Sequence, residues 1–360
     1  MAEREKILVT GGMGFIGSRL LNALEGQHEV LSFDCLHPQV HGVVGKPSHP
    51  RNVVGSIADA SALAEVVRYF NPTLIYHLAA ETGTGQSYDE PARYCNVNIQ
   101  GTVSLVEAAR AGATNLRRIV VAGSRSVYGE GAYCDGDRVV GGLPRESSAM
   151  AAGNFAVMSE DGRPLEPVPT PEWLPPRPAS VYATSKLAQE YLLTQCFDGT
   201  DVDVVCLRFQ NVYGAGQSLS NPYTGVISIM SQIALEGKSL NVFEDGRIAR
   251  DFVHVSDVVR ALVLVGEAGR NIGSDPINIG SGHEVTIKDM ASKLLELLGK
   301  DPSNYYVSGD YRAGDVRYAV ADVSRAKNLL GWSARVSFED GMKEIADWVL
   351  AERRIAGTAT

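Results

Sequence analysis

The sequence predicts an α/β fold with a doubly wound parallel sheet and a smaller mixed α/β domain. Short apolar runs alternate with longer helical patterns through the first half, and a glycine-rich turn joins the first run to the first helix. The composition, 44% hydrophobic and 21% charged over 360 residues, is that of a globular chain. We expect a first domain at residues 1–208, with an inserted loop at 129–180. A smaller domain at 209–360 is expected to interleave with it.

Charge and cysteine content exclude several classes of protein. The formal net charge is −9, and no block of basic residues offsets it, which argues against a nucleic-acid partner. No uncharged apolar run approaches the ~18 residues that a membrane span needs. The five cysteines are odd in number and lack a C-x-x-C pair, which is typical of a reducing compartment. We therefore expect a cytoplasmic enzyme without a membrane partner.

The elements follow from periodicity and from the residues that interrupt it. Strands are predicted at Ile7–Thr10, Val30–Asp34, Leu74–Leu78, Ile119–Ala122, Val204–Leu207, Leu240–Phe243 and Ile277–Ile279. Helices are predicted through Leu20–Leu24 and at Ala60–Phe70, Ala92–Arg110, Val181–Cys196, Gly225–Leu235, Ser256–Gly266 and Ile287–Leu298. Leu36–Asn52 and the Gly/Pro-rich Gly129–Ser180 are predicted as loops, the second as a lid near the active site.

The turn after the first strand predicts a phosphate site. Gly11, Gly14 and Gly17 are spaced three apart, with Phe15 and Ile16 between the last two. Glycines allow a tight turn and let a pyrophosphate approach backbone N–H groups at the helix N-terminus, where the helix dipole favours negative charge. The alternative is a turn whose glycines only let helix and strand pack together.

Asp34 at the end of the second strand predicts which dinucleotide binds. A carboxylate there accepts hydrogen bonds from both ribose hydroxyls and repels a 2′-phosphate. The next residues, Cys35 and Leu36, supply no arginine for that phosphate. The sequence thus favours NAD over NADP, bound by a Rossmann-type domain.

A tyrosine and a lysine four residues apart predict acid–base chemistry. Tyr182 and Lys186 share one face of the predicted helix Val181–Cys196. A nearby ammonium and a positive nicotinamide ring would lower the phenol's pKa toward neutrality. Ser124 follows a strand, so it is expected at the ligand-binding edge of the sheet. The alternatives are a solvated lysine, a half-buried tyrosine and a turn-capping serine.

With these residues together, the chain resembles the extended short-chain dehydrogenase/reductases, specifically the nucleotide-sugar epimerase/dehydratase family. The matching segments are Thr10–Gly17, Asp34, His77–Ala80, Asn98 with Gly101-Thr102, Ser124 with Val127–Gly129, Tyr182 with Lys186, Leu207–Gly214, Arg250–Phe252 with His254, Val255 and Asp257, and Arg312–Asp315. Ser124–Gly131, Glu81–Ser87 and the insertion look most like the branch of dTDP-L-rhamnose 4-epimerases.

The resemblance implies a role for each matching residue. The catalytic set would be Ser124, Tyr182 and Lys186, and the last two would also contact NAD. Further NAD contacts would come from Ser56, Ile57, Leu78, Ala79, Ala80 and Asn98. A dTDP- or UDP-linked sugar would be bound by Thr82, Ser124, Arg125, Ser126, Asn211, Val226, Val242, Phe243, Arg250, Arg312 and Asp315. Surface salt bridging is the alternative for Arg250 and Arg312.

The residues after Ser124 bear on the reaction. The family's 4,6-dehydratases carry an Asp-Glu pair there, whereas this chain has Arg125 and Ser126. Epimerisation at C4 through a transient 4-keto sugar needs no additional acid or base, and a dTDP-6-deoxyhexose is the substrate that the resemblance suggests. A 4-ketosugar reductase that consumes free reduced cofactor is the alternative, and a catalytically silent cofactor sensor is a third hypothesis.

Two further expectations concern metals and assembly. His37, His41 and His49 share a loop without an accompanying carboxylate, and the insertion keeps only Cys134, so no metal site is expected.

The helix Ala92–Arg110 carries a stripe of Val97, Gly101, Leu105 and Ala109, and the helix Val181–Cys196 offers Leu187, Ala188, Tyr191 and Leu192. Relatives pair such helices in a four-helix bundle, so a homodimer is expected.

Overall fold

The computed structural model describes residues 4–41, 50–219, 225–269, 272–312 and 314–358. Its strands are β1 (Lys6–Thr10), β2 (Glu29–Asp34), β3 (Asn52–Val54), β4 (Leu74–His77), β5 (Arg118–Ser124), β6 (Ala132–Asp135), β7 (Arg138–Gly141), β8 (Glu166–Val168), β9 (Asp203–Phe209), β10 (Asn211–Tyr213), β11 (Leu240–Val242), β12 (Ala249–Arg250), β13 (Phe252–His254), β14 (Ile277–Ile279), β15 (Val285–Thr286), β16 (Tyr305–Val307) and β17 (Tyr318–Ala319). Its helices are α1 (Phe15–Leu24), α2 (Pro38–His41), α3 (Ala60–Phe70), α4 (Thr84–Asp89), α5 (Pro91–Tyr94), α6 (Gly101–Gly112), α7 (Ser147–Ala151), α8 (Val181–Phe197), α9 (Val226–Leu235), α10 (Val255–Glu267), α11 (Ile287–Leu297), α12 (Ser324–Leu330) and α13 (Phe338–Thr358).

The main sheet is parallel and doubly wound, as the sequence predicts. Within the described residues it has seven strands in the order β14-β9-β5-β4-β1-β2-β3. From β1, the strands β2 and β3 lie toward one edge of the sheet. The later strands β4, β5, β9 and β14 lie on the other side of β1. The carboxyl ends of β1 and β4 therefore flank the point where the order reverses, which is where open α/β sheets bind ligands.

Apolar clusters cover both faces of the sheet, because its central strands are buried on both sides. On one face α1 and α10 supply Leu20 and Val258. On the other face α3, α6 and α8 supply Leu63, Leu105 and Leu193. This packing fixes the sheet's carboxyl edge, from which the candidate site is built.

A further apolar cluster lies in the carboxyl-terminal half. Helices α9, α11 and α13 pack with β11 around Leu240, Met290, Leu294 and Met342. Strand β14 from the same half pairs in parallel with β9 and extends the main sheet. The division at residues 208 and 209 stays a prediction, and β14 shows that the chain returns to the main sheet after that point.

The predicted helix Ala92–Arg110 is not one regular helix. It consists of α5, a π-helical segment at Cys95–Gln100, and α6. Gly101, Leu105 and Ala109 are buried inside the chain, Gly101 against Ile57. This part of the stripe is therefore intrachain core and not a surface for a partner, whereas Tyr191 on α8 is 48% exposed.

Both predicted loops contain regular structure that periodicity did not reveal. In Leu36–Asn52, α2 occupies Pro38–His41 and β3 begins at Asn52, while residues 42–49 lie outside the described part. In Gly129–Ser180, β6 pairs antiparallel with both β7 and β8. These strands have three or four residues each, too few for a two-residue period to be recognised. No described helix combines the length and apolar character that crossing a bilayer requires.

Candidate active site and cofactor cavity

The glycine-rich turn between β1 and α1 has no room for a side chain at Gly11 or at Gly17. Gly11 has φ +70°, and a Cβ there would lie 2.7 Å from the backbone nitrogen of Ala79. A Cβ on Gly17 would collide with the carbonyl oxygen of Gly11. Gly14 is the N-cap of α1, and no side chain caps the helix. The first helical turn therefore has no side-chain cap, so its N–H groups can bind the pyrophosphate of a dinucleotide.

Asp34 lies beside this turn, with only 8% of its surface exposed. Its carboxylate accepts hydrogen bonds from Met13 N at 3.0 Å and from Leu36 N at 2.8 Å. A cavity of about 360 Å³ opens next to it. The predicted cofactor residues that line this cavity are Gly11, Gly14, Asp34, Ser56, Ile57, Leu78, Ala79 and Ala80. Sequence reasoning missed His37, Val40 and His41, which also line it.

Asn98 is buried in the π-helical segment and does not line the cofactor cavity. Its Oδ1 accepts a hydrogen bond from Glu81 N at 2.8 Å. Its Nδ2 donates to Glu81 O at 3.1 Å and to Ser185 Oγ at 2.9 Å. Asn98 therefore ties the loop after β4 to α8, and π-helical segments often occur at such functional positions.

Ser124 and Tyr182 meet at the carboxyl edge of the sheet. Ser124 is the last residue of β5, and Tyr182 lies in the first turn of α8. The Ser180 side chain caps this helix by accepting Ala183 N at 3.1 Å. The side chains of Ser124 and Tyr182 line one cavity, and the Tyr94 ring packs edge-on against Tyr182 at 6.3 Å between centroids. The arrangement can hand one proton to or from a substrate oxygen held between the two hydroxyls.

Burial dominates the electrostatics of Tyr182 in the polypeptide without NAD. Burial raises the pKa of the phenol, and the hydrogen bond from Ser124 opposes that rise. The Lys186 ammonium instead donates to Gln189 Oε1 at 2.6 Å. In the polypeptide without NAD the net shift of the phenol's pKa is therefore upward, and the expected lowering by Lys186 together with a bound nicotinamide ring stays a prediction. Ionising the phenol requires a further positive charge beside it.

Lys186 belongs to a buried polar network. Gln189 Nε2 contacts His77 Nε2 at 3.1 Å and donates to Thr102 Oγ1 at 2.9 Å. His77 Nδ1 contacts Thr10 Oγ1 at 2.8 Å. Burial lowers the pKa of Lys186 to about 8, and it lowers the pKa of His77 to about 3 with a smaller contribution from Lys186. His77 is therefore neutral at pH 7, and Lys186 carries most of its charge.

A second cavity, of about 420 Å³, opens at Ser124 and Tyr182. Of the residues predicted to bind substrate, those that line it are Ser124, Arg125, Ser126, Asn211, Arg250, Arg312 and Asp315. The structure therefore brings together residues that are up to 191 positions apart in the chain, from Ser124 to Asp315. The cavity joins the catalytic pair to a cluster of guanidinium groups.

This cluster makes one end of the cavity positive. Arg250 donates to Asp315 Oδ1 at 2.7 Å and to Val316 O at 2.9 Å. Arg312 stacks over the Phe243 ring at 4.7 Å. Burial, followed by repulsion from Arg250, lowers the pKa of Arg125 to about 10. Among the described lining residues three arginines face one carboxylate, an arrangement that suits a diphosphate.

Four predicted substrate residues lie elsewhere. Val242 is fully buried in the carboxyl-terminal apolar cluster, and Val226 and Phe243 pack against that cluster. Thr82 uses its carbonyl oxygen to accept the Tyr94 hydroxyl at 2.6 Å. None of the four lines the cavity as the described residues form it. Val242 does not line the cavity because the first and last residues of β11, Leu240 and Val242, both point into the apolar cluster. A predicted strand this short did not indicate which of its residues would be buried.

Sequence reasoning missed several residues that line the substrate cavity. Thr84, Gly85 and Tyr88 come from α4, and the Tyr88 hydroxyl donates to Ala179 O at 2.7 Å. Gln210 follows β9 directly. Its position at the carboxyl end of a strand was the available signal for a lining residue. For Tyr88 no local pattern existed, because its place depends on how α4 packs beside α8.

The histidine loop forms no metal site in the part of the chain that the structure describes. No group of three or more His, Cys, Asp or Glu side chains there is arranged to hold an ion. His41 lies 3.9 Å from Asp34 Oδ1, and His37 lies near Arg93. His49 falls outside the described residues.

Comparisons with known proteins agree with this geometry. Residues 7–280 match the model of the NAD dependent epimerase/dehydratase family. The chain is 37% identical to the dTDP-L-rhamnose 4-epimerase of Burkholderia thailandensis, over 98% of this chain and 97% of that protein. It resembles the structure of MoeE5 in complex with UDP-glucuronic acid and NAD, with a TM-score of 0.76, 32% identity, and coverage of 96% and 99% of the two chains. The UDP-glucose 4-epimerase of Thermotoga maritima, with UDP-glucose, gives a TM-score of 0.77, 29% identity and the same coverage.

The match spans more than half of the chain, and it includes the glycine turn, Asp34 and the hydroxyl pair of Ser124 and Tyr182. The crowded glycine turn and the cavity beside Asp34 suit a dinucleotide, whose pyrophosphate must approach the backbone and whose ribose needs an acceptor. The chain belongs to the NAD dependent epimerase/dehydratase family, and NAD is its cofactor.

Proposed function

We propose that the protein is a nucleotide-sugar 4-epimerase that retains NAD, acting on a dTDP-linked 6-deoxyhexose through a transient 4-keto sugar. One observation carries the choice of reaction. Among the described residues lining the substrate cavity the only carboxylate is Asp315, and it is paired with Arg250 at 2.7 Å. An elimination of water from the sugar needs an acid–base couple beyond the tyrosine, and this cavity offers none.

The positions that would hold such a couple are otherwise engaged. The Ser126 hydroxyl donates to Ser124 Oγ at 2.9 Å. The Arg125 guanidinium donates to Gly129 O at 2.8 Å. Neither side chain can remove and return a proton at neutral pH, since serine is too weak an acid and the pKa of Arg125 is about 10. What remains is chemistry that Tyr182 and Ser124 complete on a single sugar hydroxyl.

In this proposal each residue of the chain has one task. NAD, when bound, supplies the acceptor and then the donor of hydrogen at the sugar's C4. Tyr182 accepts the proton of the C4 hydroxyl and later returns it, and Ser124 donates a hydrogen bond to the same oxygen. Lys186 stays charged and favours the phenolate electrostatically. Arg250 and Arg312 hold the diphosphate, so that the sugar can rotate within the cavity and present its other face while the nucleotide stays in place.

The similarity to dTDP-L-rhamnose 4-epimerase supports the dTDP-6-deoxyhexose, and the two structures with UDP-sugars make UDP-hexoses the comparison class. Homodimerisation and a cytoplasmic location stay predictions. The family also includes dehydratases and decarboxylases, and similar chains carry those names too.

The test is turnover without added reduced cofactor. The purified protein is incubated with a panel of dTDP- and UDP-hexoses, and proton NMR follows inversion at C4. An epimerase converts its substrate in both directions with NAD staying bound, and Tyr182→Phe stops it. A 4-ketosugar reductase converts nothing until a 4-keto sugar and reduced cofactor are supplied. Loss of water or carbon dioxide from any sugar of the panel would contradict the proposal.

A further inference from the structure

We propose that the insertion at residues 129–180 is a fixed brace for the substrate's diphosphate site, and that Arg145 is the positioning residue through which it acts. This inference rests on the proposed function, because it assigns the braced site to a nucleoside diphosphate. The sequence predicted a lid here, and the contacts of Arg145 are those of a static support.

The side chain of Arg145 extends from the insertion and contacts residues of the carboxyl-terminal half of the chain. Its side chain is 2% exposed. It donates to Glu130 Oε1 at 2.9 Å, to Glu244 Oε1 at 2.8 Å and to the backbone oxygen of Asp315 at 2.7 Å. One planar guanidinium thus joins the insertion to a residue 170 positions further along the chain, Asp315. A flexible lid would not bury a charge among three such partners.

These contacts close into a ring, which we call the ion ring: Arg145, Glu130, Arg317 and Glu244. Arg317 donates its backbone N–H to Glu130 Oε2 at 2.7 Å and its guanidinium to Glu244 Oε2 at 2.9 Å. Within the ring each charge has an opposite neighbour, and Arg317 also pairs with Asp245 outside it. Burial raises the pKa of Glu130, and Arg145 opposes that rise. The ring is therefore stable only when it is complete.

One member of the ion ring, Glu244, has a strained backbone conformation. Glu244 is 1% exposed and has φ +55°, a left-handed conformation that is strained for a non-glycine residue. Its N–H donates to Asp310 O at 2.8 Å, and Gly309 N donates to its carbonyl at 3.2 Å. The ring therefore fixes the turn after β11 and the segment that leads to Arg312.

The ring reaches the substrate cavity through Asp315. Arg145 holds the backbone oxygen of Asp315, while the carboxylate of the same residue pairs with Arg250 at 2.7 Å. Asp315 N donates to Arg312 O at 3.1 Å, so the fixed residue ends a turn that begins at Arg312. Of the three arginines that line the cavity, Arg250 and Arg312 are thus oriented by one residue that Arg145 immobilises. Arg145 itself does not line the cavity.

The test compares Arg145→Lys with Arg163→Lys, measuring the Kd for UDP and dTDP by calorimetry together with kcat and KM. Arg163 lies in the same insertion, is 61% exposed and pairs only with Asp161 and Asp135 among its described ion-pair partners. An ammonium cannot reproduce the three-way fork, so we expect Arg145→Lys to raise Kd and KM about tenfold with kcat nearly unchanged. Arg163→Lys should match the unaltered protein.

A second variant guards against misfolding. Arg145→Met with Glu130→Gln removes a cation and a carboxylate together, and thermal unfolding and NAD content confirm that the protein is folded. In either variant, amide hydrogen exchange should accelerate at residues 310–317 and stay unchanged in the glycine turn.

Each outcome decides the matter. Nucleoside-diphosphate affinity within twofold of the unaltered protein in both folded variants would overturn the brace and leave the proposed function standing. Exchange in the insertion that slows strongly on nucleotide binding would show a lid instead. If the unaltered protein binds neither UDP nor dTDP, the proposed function fails, and the role of Arg145 fails with it.

Discussion

The Lys186 ammonium lies 2.6 Å from Gln189 Oε1, three residues further along the same helix. Gln189 is 1% exposed, and its amide nitrogen also contacts His77 and Thr102. The orientation of the lysine beneath the active site is therefore set by a neutral amide and not by a carboxylate. Because burial already lowers the pKa of Lys186 to about 8, the charge of its neighbours decides where in the pH range it titrates.

Replacing that amide by a carboxylate should move the pH profile of turnover. Lys186 loses its proton as the pH rises through about 8, so we expect the rate of the unaltered protein to decline above that value. In Gln189→Glu an opposite charge beside the ammonium raises the pKa of Lys186, and the alkaline decline should shift upward by about one unit or more. The measurement is kcat against pH from 6 to 10. Gln195→Glu, at an exposed position of the same helix, serves as control and should leave the profile unchanged.

Tyr182→Phe should remove acid–base catalysis while leaving the protein intact. A positioned proton donor and acceptor contributes roughly 10²- to 10⁴-fold to the rate, so we expect kcat to fall by that factor. The phenyl ring still packs against Tyr94, and NAD content should not change. Tyr191→Phe on the exposed face of the same helix is the matched control. Turnover of Tyr182→Phe above a tenth of the normal rate would refute the assigned role.

His77 should make the free energy of unfolding depend on pH. Its pKa is about 3 in the folded chain and near 6.5 when unfolded, so between these values the unfolded state binds more protons. The stabilisation is complete above pH 6.5 and is lost as the pH falls. From pH 7 to pH 5 this residue alone should remove about 2 kcal/mol.

Urea unfolding of the unaltered protein and of His77→Gln at both pH values measures that loss. The difference between the two proteins isolates His77 from buried acids with raised pKa values, such as Glu130, which respond in the opposite direction. His283→Gln, at an exposed position, should follow the unaltered protein. Parallel losses in all three proteins would mean that His77 is protonated in the folded state.

The parts of the structure that follow from local pattern were predictable from the sequence. Buried parallel strands give continuous apolar runs, and the glycine turn and Asp34 sit at fixed offsets from the first of them. Tyr182 and Lys186 were found because one helical turn separates them. Their mutual position needed no knowledge of the rest of the chain.

What was missed depends on contacts between distant segments. The π-helical segment at Cys95–Gln100 has no periodic signal in the sequence. The hydrogen bonds of Asn98 to Glu81 and to Ser185 of α8 depend on how these segments pack together. The sequence did not distinguish Arg145 from other charged residues of the Gly/Pro-rich insertion, because its partners Glu244 and Asp315 are distant in the chain. The rise of the Tyr182 pKa in the absence of NAD was also not predictable, since burial of the phenol follows from the packing of distant segments.

Asp34→Ala should weaken NAD binding and relax the discrimination against NADP. The carboxylate is placed by two backbone N–H groups, and removing it deletes the acceptor for the ribose hydroxyls as well as the charge that repels a 2′-phosphate. We expect the Kd for NAD to rise about tenfold or more, and the ratio of the NADP to NAD dissociation constants to fall. Tryptophan fluorescence titration measures both, with the exposed Asp201→Ala as control. An unchanged ratio would mean that Asp34 does not face the ribose.

Arg93 should govern how long NAD stays bound, which an epimerase needs because the same NAD molecule acts twice in each turnover. Arg93 contacts Glu81 at 2.7 Å, Glu90 at 3.0 Å, Gln39 at 3.1 Å and His37 at 3.5 Å. His37 lines the cofactor cavity, so Arg93 joins one wall of that cavity to the segment after β4. In Arg93→Met this link is lost, and we expect NAD to dissociate about tenfold faster with little change in the chemistry at Tyr182.

Release of NAD into excess unlabelled cofactor, followed with a radiolabelled dinucleotide, measures the rate directly. Arg68→Met on the exposed face of α3 is the control, since it removes a guanidinium that does not line the cofactor cavity. The faster release should also make turnover of Arg93→Met depend on added NAD, because every lost cofactor must be replaced before the next cycle. If release is as slow as in the unaltered protein, the wall around His37 is held by the cofactor itself, and Arg93 serves only the fold.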